Sequence, residues 1–256
     1  MLQTVCLLFL VIIPWSASGA PDKCGIVGEQ VMIKDVPWMA SIRFDKRIIC
    51  NGVILNTKYI LTTSNCMRKR ALSRLKLSVG SSSRGTGGTE VGVCKVTYHP
   101  QVGKKNFGSN LALMNLCEAL KLTDSIKEIQ VIDKEPDLKA KATTSGWSTI
   151  MWGASLREPC ETVSAYVLRK LDVNLHDPNS CSKDRKRWFN ISSGDTVQNI
   201  CVTRKTESCS FDKGAPMVID GKLAGILALG DCSKEPEVFI NLFHHKAWLE
   251  SNSKDK

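Results

Sequence analysis

Residues 50–66 read CNGVILNTKYILTTSNC, and this stretch decides the fold. Its apolar residues fall into two short runs on either side of NTK. Short apolar runs with strand-like alternation recur at residues 95–99 (KVTYH) and 222–229 (KLAGILAL). The most linker-like stretch, GSSSRGTGG at 80–88, is interpreted as a surface loop. The sequence therefore predicts an all-β protein.

Three segments resemble the three active-site segments of the chymotrypsin-like serine proteases. They are TTSNC (62–66), SNLALMNL (109–116) and CSFDKGAPMV (209–218), where that family reads approximately TAAHC, DIALLKL and GDSGGPLV. The resemblance extends over residues 26–250, through PWMASI near the start and EVFINLFHHKAWLE near the end. It implies two six-stranded antiparallel β-barrels and a short C-terminal α-helix.

The catalytic residues that this resemblance implies are all replaced. Asn65, Asn110 and Lys213 stand where the family has His, Asp and Ser. Acyl transfer needs a hydroxyl nucleophile, an imidazole base and a carboxylate that orients the base. An amide is no base near neutral pH, so the sequence predicts an inactive homologue. A relocated hydrolase that uses a desolvated Lys213 is the alternative from the enzyme class.

The oxyanion site and the specificity pocket are degenerate by the same comparison. Phe211 occupies an oxyanion-site position where the family has glycine, and we expect it to need a backbone conformation that glycine adopts cheaply. The former specificity pocket is assigned to Glu207, Ala228, Leu229 and Glu237. Glu237 replaces a wall glycine and should fill the pocket.

Activation by cleavage is also in doubt. Family members are cut after Arg or Lys, and the freed ammonium of the new terminus is buried against the Asp that precedes the nucleophile. The corresponding start here is IVGE (26–29), but Gly25 precedes it. We expect the chain to stay uncleaved and Asp212 to find another donor, the alternative being that Asp212 is a relic without a role.

The cysteine content suits an oxidising compartment. Of eleven cysteines, Cys6 is lost with the leader and ten remain. The resemblance implies three bridges, and neighbouring strands in the family suggest Cys94–Cys117, which leaves Cys24 with Cys160. Zinc binding is the alternative, but no CxxC or HxxxH spacing supports it. The three bridges implied by the family are Cys50–Cys66, Cys181–Cys201 and Cys209–Cys232.

The chain begins with a segment of signal-peptide length. Residues 1–19 read MLQTVCLLFLVIIPWSASG, an apolar run that ends in small residues. We expect a short N-terminal segment at 20–25, the protease-like domain at 26–250 and a tail at 251–256. The leader is too short to span a membrane, and no later apolar run reaches about 20 residues. The sequence thus predicts a secreted protein.

The formal net charge is +10, and the basic residues are clustered. Such clusters suit acidic proteins or sulfated glycans, while the alternative is that they only keep the protein soluble. No nucleic-acid partner, cofactor or metal is expected, and His99, His244 and His245 are interpreted as surface or packing residues. Asn190 starts a glycosylation sequon beside one cluster. The proposed basic patch comprises Arg68, Lys69, Arg70, Lys183, Arg185, Lys186 and Arg187.

These observations predict a secreted, non-catalytic serine protease homologue that acts by binding an extracellular protein. The family resemblance implies a regulator, cofactor or adaptor in a protease cascade, in immunity or in reproductive fluids. Two alternatives stay open: a residual or relocated hydrolase, and a glycosaminoglycan-binding module that uses the basic loops.

Overall fold

The structure is a computed structural model, and the protein is described over most of its length. The described residues are 28–45, 47–84, 86–102, 107–147, 167–179, 181, 198–203, 211–230 and 235–254.

The described residues form fourteen β-strands and few helices, as the sequence predicts. The first seven strands are β1 Glu29–Gln30, β2 Met39–Phe44, β3 Arg47–Ile54, β4 Tyr59–Thr63, β5 Leu75–Val79, β6 Thr89–Tyr98 and β7 Leu111–Leu116. The other seven are β8 Ala142–Gly146, β9 Arg169–Val173, β10 Leu175–His176, β11 Asn199–Val202, β12 Pro216–Ile219, β13 Lys222–Leu229 and β14 Glu237–Asn241.

The helices are short and lie between strands or at the C-terminal end. Two are α-helices, α1 Ser64–Met67 and α2 Lys246–Asn252. No helix among the described residues is long and apolar enough to cross a membrane. The 3₁₀ helices are Ile33–Asp35, Leu72–Arg74, Phe107–Ser109 and Leu242–His245.

The first half of the chain closes into a six-stranded antiparallel barrel in the order β2-β3-β4-β7-β6-β5. In strand β5 the apolar residues Leu75, Leu77 and Val79 are buried, and of the two polar residues between them Lys76 is exposed and Ser78 is buried. The inward side chains join Ile42 of β2 in one apolar core. The predicted first barrel is therefore present.

The second half forms a barrel-like antiparallel sheet of eight strands in the order β1-β9-β8-β12-β13-β14-β11-β10. The N-terminal strand β1 extends one edge by pairing Glu29 with Lys170, and the short β10 forms the other edge. The core of this sheet contains Met217, Leu227 and Phe239, all fully buried.

The two halves share a third apolar cluster, so β4 is buried on both of its faces. In β4, Ile60 points into the first barrel, whereas the next residue, Leu61, packs in the shared cluster with Ile226 and Ile240 of the second sheet. Because both faces of β4 are buried, its sequence lacks the polar alternation of a half-exposed strand.

Candidate functional site

The site lies where the end of β4, the start of β7 and the turn before β12 meet. Strands β4 and β7 are paired so that Thr63 faces Leu111. This register places Asn65, in α1 just after β4, beside Asn110, which immediately precedes β7. Two of the three predicted catalytic positions are thus neighbours in the structure.

Asn110 holds the start of α1 in place. Its Oδ1 accepts a hydrogen bond from the backbone N–H of Asn65 at 3.1 Å and another from the hydroxyl of Ser64. Thr63, the N-cap residue of α1, makes no capping hydrogen bond with its side chain. Asn110 therefore satisfies a backbone donor that the helix itself leaves unpaired. The Asn110 side chain therefore has a structural role in this site.

The same geometry fixes which way the Asn110 amide points. Because Oδ1 accepts from two donors, the remaining polar atom of the side chain is the Nδ2 donor. Asn110 is only 7% exposed, and its Nδ2 is buried without a hydrogen-bond partner among the described residues. A donor at this place cannot stabilise a positively charged imidazolium.

Lys213 is exposed on the turn before β12, and this turn contacts the first barrel at Asn51. Its backbone carbonyl accepts from the N–H of Asn51 at 2.8 Å. The next residue, Gly214, has φ +86°, and a Cβ there would lie 2.0 Å from the Asn51 carbonyl oxygen. Only glycine fits this close approach, so the turn is fixed even though the Lys213 side chain is in solvent.

Asn51 joins the two halves of the molecule by hydrogen bonds, a role that its sequence context does not indicate. It is 1% exposed, and its Nδ2 donates to the carbonyl oxygens of Asp212 at 2.8 Å and Trp147 at 3.3 Å. Its Oδ1 accepts from the Trp147 N–H at 3.4 Å. The side chain of a first-barrel strand thus satisfies backbone groups of the second half.

Phe211 behaves differently from the expectation. Among the described residues, the non-glycine positions with positive φ are Asp45, Lys69 and Asp220, so Phe211 avoids the glycine-like backbone conformation. The expectation of that conformation is therefore wrong, and the phenyl group is buried, 5% exposed, in the second core. A Cβ on Gly146 would lie 3.2 Å from Phe211.

The pocket residues that the structure describes are all buried. Ala228 and Leu229 end β13, and Glu237 begins β14 with 5% exposure. Leu229 pairs in register with Val238. Their strands are neighbours, so these positions come together as the family comparison implies. The fourth predicted pocket residue, Glu207, lies outside the described residues.

Asp212 has the other donor that the sequence analysis expected. The guanidinium of Arg84 forms an ion pair with its carboxylate, and the two side chains are only 6% and 12% exposed. Arg84 belongs to the stretch 80–88, whose interpretation as a simple surface loop is therefore wrong at this residue. The sequence offers no local signal for the pairing because the partners are 128 positions apart.

The described residues of the basic patch differ in their exposure to solvent. Arg68 and Lys69 are exposed, whereas Arg70 is half-buried. Arg70 donates to the carbonyl oxygen of Cys66 at 2.7 Å, and its guanidinium lies 5.5 Å from the centre of the Phe44 ring. Arg70 is thus a packing residue, contrary to its assignment as a free surface charge. The basic residues at 183–187 and the sequon at Asn190 lie outside the described residues.

Three of the expected disulfides are present. They close loops on both halves of the molecule, and the Cys94–Cys117 bond joins β6 to the segment after β7. The expected Cys24–Cys160 and Cys209–Cys232 bonds lie outside the described residues. The bonds present are Cys50–Cys66, Cys94–Cys117 and Cys181–Cys201.

Comparisons with known proteins agree with this geometry. Hypodermin-A from Hypoderma lineatum is 27% identical to the chain over 257 aligned residues, covering 99% of this chain and 96% of that protein. Two solved structures share the fold: neuropsin from mouse brain (22% identity, TM-score 0.73, 90% of this chain and 100% of that chain) and the scabies mite inactivated protease paralogue S-D1 (23% identity, TM-score 0.72, 88% and 96%). The trypsin family model matches residues 26–249. The chain belongs to the trypsin family.

Proposed function

We propose that this protein is a secreted, non-catalytic member of the trypsin family that acts by binding another extracellular macromolecule. The observation that carries the proposal is the set of side chains at the triad positions. Two neutral amides, Asn65 and Asn110, and one exposed ammonium, Lys213, replace the base, the carboxylate and the nucleophile. This set lacks a proton acceptor for an attacking hydroxyl.

The contacts of Asn110 strengthen the argument. The only acceptor atom of its side chain, Oδ1, accepts from the Ser64 hydroxyl and from the Asn65 N–H, so the remaining polar atom of the side chain is the donor Nδ2. A histidine restored at position 65 would therefore lack the carboxylate that orients and stabilises it. The fold tolerates such a loss, because one of the proteins that share it is described as an inactivated protease paralogue.

The hydrolase alternative is less well supported. A lysine acts as a nucleophile when burial or a neighbouring cation favours its neutral amine. Lys213 is exposed to solvent, so burial does not supply that activation. Phe211 also stands where the family has the glycine of its oxyanion site, and its ring is packed in the core of the second sheet.

Activity-based labelling tests the proposal directly. We expect neither turnover of peptide amide or ester substrates nor labelling by a fluorophosphonate probe. The variant Lys213→Ser should also stay silent, because no base is present to activate the new hydroxyl. The combined variant Asn65→His, Asn110→Asp, Lys213→Ser should stay silent as well, because Phe211 and Glu237 remain. Labelling of the natural protein that a single substitution abolishes would overturn the proposal.

Secretion rests on residues 1–19 and on the disulfides. We expect expression in insect cells with the natural leader to deliver the protein to the medium, with an N-terminus near Ala20. Retention of the full leader on cell-associated protein would contradict this part of the proposal.

A sulfated glycan is the second candidate partner, and the exposed pair Arg68 and Lys69 is the observation that favours it. Neutralising both to Gln should lower the salt concentration at which the protein elutes from heparin, because exposed charge contacts are screened over about 8–10 Å at physiological salt. Lys139 and Lys141, also exposed, supply the matched control. Equal shifts from both double variants would indicate attraction by net charge alone.

A further inference from the structure

The buried ion pair between Arg84 and Asp212 has a consequence for processing of the chain. We infer that Arg84 is an internal substitute for the ammonium group that cleavage supplies in family proteases. The pair would complete the fold around Asp212 in the uncut chain. Gly25 offers no basic residue for a trypsin-like activator to cut after, so the cation comes from within the chain.

The loop that carries Arg84 lies between β5 and β6, and hydrogen bonds and a close backbone approach hold its described residues, 80–84 and 86–88. The Ser81 hydroxyl accepts from the Ser83 N–H at 3.1 Å and donates to the Thr86 carbonyl at 2.7 Å. Gly88 has φ +70°, and a Cβ there would lie 2.3 Å from the Val79 carbonyl oxygen. The hydrogen bonds of Ser81 and the close approach of Gly88 to Val79 thus hold the described residues of the loop close together.

The same loop is attached to the second half of the molecule next to Arg84. The Ser82 carbonyl accepts from the Leu168 N–H at 3.0 Å and from the Trp147 indole N–H at 3.2 Å. The Ser82 hydroxyl accepts from the Ile33 N–H at 2.8 Å. These bonds direct Arg84 across the junction between the two halves.

The turn at Asp212 is held from the other side. The Asp212 N–H donates to the Trp147 carbonyl at 2.9 Å, and its own carbonyl accepts from Asn51 at 2.8 Å. A carboxylate that is 12% exposed needs a cation, and Arg84 provides one whose side chain is 6% exposed. The turn from Phe211 to Lys213 is therefore held in place without a new N-terminus, and a partner that contacts the exposed Lys213 needs no cleavage of the chain to form this surface.

A double-mutant cycle on the secreted protein tests the pairing. Arg84→Ala should lower Tm by roughly 10 °C, because it removes the guanidinium cation from a carboxylate that is only 12% exposed. Arg84→Ala combined with Asp212→Asn should lose clearly less than the sum of the single variants. The matched control is Arg74→Ala, which breaks the ion pair with Asp45 whose side chains are 57% and 38% exposed, and should cost at most about 3 °C. A loss from Arg84→Ala no larger than the control, or additive losses in the cycle, would overturn the inference.

A dipeptide supplies the second measurement. Millimolar Ile-Val, which carries a free ammonium, should raise the Tm of Arg84→Ala, whereas its N-acetylated form should not, and neither should affect the natural protein. If Arg84→Ala does not accumulate, Arg84→Lys must restore secretion and Arg84→Gln must not. Restoration by both, or a folded natural protein that starts at Ile26, would also overturn the inference.

Discussion

Acidification should destabilise the protein through one buried histidine, His245. It lies at the end of the 3₁₀ helix before α2 and is 4% exposed. Its Nδ1 is 3.3 Å from Nε2 of His99, and its neighbour His244 contacts Glu135 at 2.9 Å. Burial first, then the positive charges that His99 and His244 would carry, lower the pKa of His245 to about 4, although a backbone hydrogen bond with Gly108 opposes them.

The direction and size of this loss of stability follow from the difference in the pKa of His245 between the folded and unfolded chain. The unfolded chain protonates His245 near pH 6.5, whereas the folded protein resists protonation down to about pH 4. The stabilisation is therefore complete above pH 6.5 and is lost as the pH falls toward 4. At about 1.36 kcal/mol per pKa unit, the loss approaches roughly 3 kcal/mol in total and about 2.5 kcal/mol by pH 4.5.

Urea unfolding at pH 7.5 and pH 4.5 measures this loss. His245→Phe keeps an aromatic ring and cannot titrate, so the natural protein should lose about 2.5 kcal/mol more than the variant between the two pH values. Comparing the two proteins cancels the titration of carboxylates that they share. His176→Gln, at a half-buried position on β10, is the control and should follow the natural protein. Parallel losses in the natural protein and in His245→Phe would refute the reasoning.

Other changes separate structural from surface roles. Asn51→Asp should cost about 3–5 kcal/mol in urea unfolding, because a buried carboxylate would replace the amide that donates to two carbonyl oxygens. Arg70→Gln should cost about 1–2 kcal/mol and Arg68→Gln less than about 0.5 kcal/mol, since only Arg70 is packed and bonded; equal Tm values for the two variants would contradict this. Replacing Cys94 and Cys117 with Ser should cost about 3 kcal/mol, the entropy expected for opening a loop with a sequence separation of 23, and non-reducing peptide mapping checks the bond itself.

The strands of the fold can be predicted from the sequence because each strand has a local pattern of apolar residues. KLAGILAL at 222–229 was predicted as a strand and is β13. The expected alternation of buried and exposed residues is absent, since seven of its eight residues are buried. That strand lies between the core of the second sheet and the cluster shared by both halves, so both of its faces are covered. Burial on both faces depends on the tertiary arrangement, which a single strand's sequence does not encode.

The site was accessible in part for the same reason. Asn65 and Asn110 stand at the ends of paired strands, and their positions follow from the register of β4 and β7. The contacts of Arg84 and Asn51 join residues more than 90 positions apart, and neither position carries a local pattern. The letters RKR present Arg70 as one of three equivalent charges, and only its contacts with the Phe44 ring and the Cys66 carbonyl distinguish it.

Asn110 and Asp212 show how a trypsin-family fold keeps its packing when residues at or beside the triad positions differ from the family pattern. Asn110 still offers an oxygen to the N–H of Asn65, so replacing a carboxylate with an amide preserves the contact that holds α1 to β7. With no histidine at position 65, a carboxylate at 110 would be a buried charge without a cation, and the amide avoids that cost. Asp212 is the opposite case, because its charge is kept and Arg84 supplies the cation. A buried carboxylate without a cation is avoided at both sites, by an amide at Asn110 and by the cation of Arg84 at Asp212.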